Sequence, residues 1–190
     1  MAFSATWFLL EQEGLLAQAC LCNGLTALRH ANIGDKKGLF YSAFFELSIG
    51  FERTLKLVLI LDHMARNMLT PPDSKTVEDH GHKLLSLFDA TKTLCAAHGV
   101  TSLDEFQADS LPIRIIGFLD HFAHPGGRYS NINKLTGHKH QTMADPIVQW
   151  GGIASQIMQT HAIRWRLFLQ QIPRKSPCKS PRKSECCCRG

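Results

Sequence analysis

The feature that most constrains this chain is the run from about Leu39 to Asn67. Its apolar side chains (Phe40, Phe44, Leu47, Phe51, Leu55, Val58 and Leu59 among them) fall on nearly every side of a helix rather than on one stripe. A helix apolar around most of its circumference has to be surrounded, which makes it the buried spine of a bundle. Pro71-Pro72 stops it, because proline has no N–H to continue the ladder.

The remaining segments are sized to wrap such a spine. A first helix is predicted from about Phe3 to His30, ended by the turn-prone run Asn32 to Asp35. A third is expected from Asp79 to His98, with Gly99 closing it. Ser102-Leu-Asp-Glu105 has the spacing of a capping box and predicts a short helix. Ser110, with Pro112 in the first turn, opens another that lasts to His124 and is stopped by Pro125-Gly-Gly127. Residues 128–144 read as a polar, structured loop, and Asp145-Pro146 opens a last long helix to about Gln171. No segment alternates with period two for long enough to be a strand. The expectation is an all-α helical bundle built on a long buried central helix, spanning residues 1–172.

Residues 173–190 are of another kind. Lys175-Ser-Pro-Cys, Lys179-Ser-Pro-Arg and Lys183-Ser-Glu-Cys repeat every four positions, a composition that builds no core and predicts a disordered, basic, cysteine-rich tail. The whole formal charge of +5 sits there: six basic side chains and one acid lie from Arg174 onward, leaving fifteen of each sign in the body. A neutral body gives no broad electrostatic footprint for nucleic acid, whereas the tail's Ser-Pro-x-Lys units could lie along phosphates. With no apolar run of membrane-spanning length and no signal-peptide pattern at Met1-Ala2-Phe3-Ser4, the chain is expected to avoid the membrane and reside in the cytoplasm. Cys20, Cys22 and Cys95 lack paired spacing and read as small hydrophobes in a reducing compartment.

Two side-chain pairs could carry chemistry. Glu52 and Lys56 stand four apart on the spine, where ionic groups need partners and often line a cleft. Arg114 and His121 stand seven apart, almost two turns, and so share one side of their helix, where they could grip a phosphate and move a proton. The histidine pairs 80/82, 121/124 and 138/140 have no carboxylate or cysteine at ligand spacing, so they read as surface histidines, with no metal or other cofactor expected.

Phe45-Glu-Leu-Ser-Ile-Gly-Phe-Glu-Arg-Thr-Leu-Lys56, followed by Gly81-His-Lys-Leu-Leu-Ser-Leu-Phe88, resembles the HEPN superfamily of helical nucleotide-binding domains in its uncharacterised bacterial form. Arg128-Tyr-Ser-Asn131 and Asp145-Pro-Ile147 add to the likeness, which covers residues 39–150. The resemblance implies a homodimer that engages RNA. Active members are metal-independent endoribonucleases carrying an arginine, four to six residues, then a histidine; Arg114 and His121, with six between them, meet that spacing. The polar residue that often follows the family's arginine is replaced here by Ile115. The same resemblance makes Glu52, Lys56 and Arg128 cleft-lining residues. The alternative is a non-catalytic helical binding or scaffold protein.

Overall fold

The computed structural model describes residues 4–75, 81–103, 106–137 and 144–171. Among them there is no strand. The elements are α1 (Ala5–His30), α2 (Gly38–Arg66), α3 (Leu84–Ala97), α4 (Leu111–Ala123), the single turn α5 (Pro125–Arg128), the short α6 (Ser130–Leu135) and α7 (Pro146–Gln171). The all-α expectation is met. The expected tail, 173–190, lies outside the described residues, as do His80, His138 and His140. The chain divides after Ala154, within α7, into two compact units; the packing below belongs to the first.

α1 and α2 form an antiparallel pair. Ser4 caps α1 by accepting the Trp7 N–H, and Asn32 turns the chain by accepting the N–H groups of Asp35 and Lys36 at 3.1 and 3.3 Å. The two helices approach closely at two glycines used reciprocally. Gly24 of α1 lies under Leu47, and Gly50 of α2 lies under Leu21; a Cβ on either would stand 2.7–2.8 Å from the facing leucine Cγ.

The other faces of α2 take α3 and α4. Phe44, wholly buried, receives Phe118 and Phe122 of α4 edge-on, with ring centroids at 4.7 and 5.4 Å. Trp150, in the first turns of α7, stands 5.6 Å from both Phe44 and Phe118. Leu84 and Leu87 of α3 and Leu119 of α4 are also fully buried. The spine reading of α2 therefore holds where it matters, over Ala43 to Leu55.

Some boundaries differ from expectation. α3 begins at Leu84 rather than Asp79, because Gly81 adopts a left-handed φ of +54° and turns the chain first. Its N-terminus is capped from across the fold: the Asp120 carboxylate of α4 accepts the Leu84 N–H. Its C-terminus closes with Gly99 N–H to Ala96 and Val100 N–H to Cys95, the expected glycine cap. Of the helix expected at Ser102, residues 104–105 lie outside the described residues, and those on either side, 101–103 and 106–110, are turns or irregular backbone. Ser110 occupies the N-cap position of α4, but its hydroxyl makes no capping bond. The loop expected over 128–144 contains α6, and Pro125–Arg128 is itself a helical turn. No described helix is long and apolar enough to cross a membrane.

Candidate functional site

The face of α2 that turns away from the aromatic cluster carries Ile49, Glu52, Arg53, Lys56 and Ile60 on successive turns. With Glu13 from α1, His82 from the turn before α3 and Arg128 from α5, they line a cavity of about 460 Å³. Three of the residues singled out in the sequence, Glu52, Lys56 and Arg128, thus share one cavity, although Arg128 is remote from the others in the chain.

Glu52 is the hub. Its Oε1 accepts from Lys56 Nζ at 2.8 Å and meets His82 Nδ1 at 2.8 Å. Its side chain is 16% exposed and that of Lys56 22%, so the pair is mostly withdrawn from water. Burial by itself pushes the Glu52 carboxyl up. The bonds from Lys56 and His82, with their charges, outweigh it and hold the group below the ordinary glutamate value. Arg53, beside them, pairs with Glu13 and ties α1 to α2 at the rim. By sequence alone His82 is an ordinary surface histidine. It is exposed, but its ring is engaged by a carboxylate thirty positions upstream.

Arg128 differs from its neighbours. Its Nε is buried and finds no acceptor among the described residues. Its guanidinium carbon stands 5.1 Å over the Phe45 ring, where the negative π face attracts it. It also borders two further cavities: one of about 360 Å³ with Tyr41, Ser42, Phe45, Glu46, Phe122 and Tyr129, and one of about 350 Å³ with His82, Lys83, Ala123 and His124. Gly127 makes this position possible. A Cβ there would lie 2.7 Å from both the His121 carbonyl oxygen and the Phe122 Cα, so only glycine lets α5 fold back on the end of α4.

Arg114 and His121 are placed elsewhere. Both are exposed on α4, on the side away from Ile116, Leu119 and Ala123, and neither lines any of the three cavities. His124 is also exposed; its Nδ1 meets the Asp120 carbonyl at 2.7 Å. At the far end of α2, Asp62 takes His98 at 2.8 Å and Arg66 at 3.0 Å. The bond from His98 above all, and then Arg66, hold its carboxyl below the ordinary aspartate value. That group ties α2 to the end of α3 and borders no cavity described above. Burial raises the Cys20 thiol, as does its bond to the Glu46 carboxylate, consistent with an inert cysteine. Among the described residues no three histidine, cysteine or acidic side chains converge as a metal site.

No protein-family model matches this chain, and neither does any curated protein or solved structure at a significant level.

Proposed function

We propose that this chain is a HEPN-like protein that engages RNA, with the cavity of Glu52, Lys56, His82 and Arg128 taking a backbone phosphate. The observation that carries the proposal is the convergence of Arg53, Lys56 and Arg128, three cationic side chains from two elements, on one cavity. A phosphate oxygen that meets such a set gains charge-assisted hydrogen bonds. Lys56 and Arg53 line the same space, and Glu52 and His82 fix the lysine's direction. The basic tail from Arg174 adds sequence-independent contact with phosphates.

Cleavage, on the family pattern, would use His121 as general acid or base at a ribose 2′-hydroxyl and Arg114 to stabilise charge on the phosphate oxygens. Since neither lines a described cavity, the pair needs a second copy in a homodimer to enclose it. Their exposure favours the second reading, a binding or scaffold protein without catalysis.

The test is fluorescence anisotropy of labelled RNA in EDTA, with the same samples run on a denaturing gel. Arg128→Gln should weaken binding roughly ten-fold or more, the equivalent of a charged hydrogen bond. Unchanged affinity defeats the cavity assignment. If the parent cleaves, His121→Ala and Arg114→Lys should abolish it while His124→Ala does not. Bound but intact RNA leaves the binding role.

A further inference from the structure

The cavity beyond Arg128 has the makings of a base pocket. Phe45 and Tyr129 are 42% and 55% exposed although both are large aromatics, and they stand beside Arg128 and Tyr41 around about 360 Å³ of space. Aromatic rings left in water next to a guanidinium are what unpaired nucleobases stack upon. Arg128 is the wall shared with the phosphate cavity, so one residue touches both halves of a nucleotide. The two cavities also lie along the same helix. From Phe45 to Glu52 is about 10 Å of α2 at ~1.5 Å per residue, a span that places a base at one end and a neighbouring phosphate at the other.

The polar edge of the pocket narrows the choice of base. Glu46 presents a carboxylate, which only accepts hydrogen bonds. It takes one from the Cys20 thiol, and as a lining residue of the cavity it has acceptor capacity left for a ligand. Guanine carries two adjacent donors, N1–H and the 2-amino group, that match the two oxygens of a carboxylate. Adenine and uracil each offer a single donor position on that edge.

We infer that this pocket holds one unpaired guanine of single-stranded RNA, stacked on Phe45 and Tyr129 and read by Glu46. The inference rests on the RNA reading above. It adds strand and base selectivity, since a base inside a duplex is already stacked and paired and cannot enter.

The test uses the full chain in EDTA and three labelled probes: a five-nucleotide RNA with a central guanine in uridines, the same strand with a central adenine, and a blunt RNA duplex. The guanine strand should bind tightest and the duplex weakest. Phe45→Leu and Tyr129→Ala should each weaken the guanine strand by roughly 5- to 150-fold, the range for loss of one base–aromatic stack, with little effect on the duplex. Glu46→Gln should bring the guanine and adenine strands together. Circular dichroism melts confirm that each variant is folded. Equal binding of guanine and adenine strands by the parent, or ring-deletion variants that bind as the parent does, overturns the pocket while leaving RNA engagement standing. A parent that binds none of the three probes overturns the RNA reading itself.

Discussion

Alanine at three glycines separates close packing from helix propensity. In the interior of a helix, glycine to alanine stabilises by about 1 kcal/mol when the new methyl meets nothing. Gly14 of α1 is such a place, with no atom within 4 Å of an added Cβ. Gly24 and Gly50 are not. At Gly24 the methyl would stand 2.7 Å from the Leu47 Cγ and 3.0 Å from the Leu47 backbone nitrogen; at Gly50 it would stand 2.8 Å from the Leu21 Cγ and 3.0 Å from the Leu21 nitrogen. A leucine can rotate away, but a backbone nitrogen moves only with its helix, so α1 and α2 must part by several tenths of an ångström. Overpacking of this kind costs about 1–3 kcal/mol. The propensity gain is common to all three sites and cancels in the comparison. Gly14→Ala should therefore exceed Gly24→Ala and Gly50→Ala in stability by about 1–3 kcal/mol, read as the difference in urea midpoints at constant m. The two damaging changes should also be less than additive, because helices already parted by the first make room for the second. Three alanines with equal effects would refute the close approach of these helices.

Three further outcomes follow from single contacts. Because the folded Glu52 carboxyl titrates below its ordinary value of about 4.3, its stabilisation is complete above that pH and is lost as pH falls through the folded value; the deficit of Glu52→Gln against the parent should shrink in urea melts from pH 7 toward 3, and a deficit constant with pH would contradict the ion pairing. Asp120→Ala should cost about 1 kcal/mol by uncapping α3 at Leu84, seen as faster amide exchange in the first turn of that helix; unchanged protection there would count against the cap. Gly127→Ala should cost about 1–3 kcal/mol, since the atoms it meets are backbone, and should weaken RNA binding along with Arg128→Gln; full affinity in this variant would mean that α5 does not fix Arg128.

What the sequence revealed depended on whether the signal was local. α2 was legible because an apolar circumference is a property of one segment, and the start of α7 because Asp145-Pro146 is a local cap, with Asp145 Oδ1 accepting the Ile147 N–H at 2.9 Å. Ser102 has capping spacing, but residues 106–110 behind it are turns or irregular backbone, since spacing alone supplies no apolar face to bury. α6 was missed because Ser130-Asn-Ile-Asn-Lys-Leu135 is short and mostly polar. Within the site, Glu52 and Lys56 were visible as neighbours on one turn, and Arg128 entered only through the family resemblance. In the sequence His82 pairs with its neighbour His80, whereas its partner in the fold, Glu52, stands on another helix. The useful signal was the mostly buried Glu52–Lys56 pair, which invites a third polar group. Glu13 and Arg53 carried no signal beyond opposite charge.

The walls of the cavity around Glu52 come from α1, α2, the turn before α3, and α5, segments that meet only when the hairpin and the later helices have docked. A molecule lodged among them binds the folded chain and not the unfolded one, so occupancy is linked to stability by mass action, worth about 2.7 kcal/mol at a hundred times the dissociation constant. Melting temperature then becomes a direct reporter of what the cavity accepts: the nucleotides and short RNAs that raise it are those that fit, before any activity has been measured.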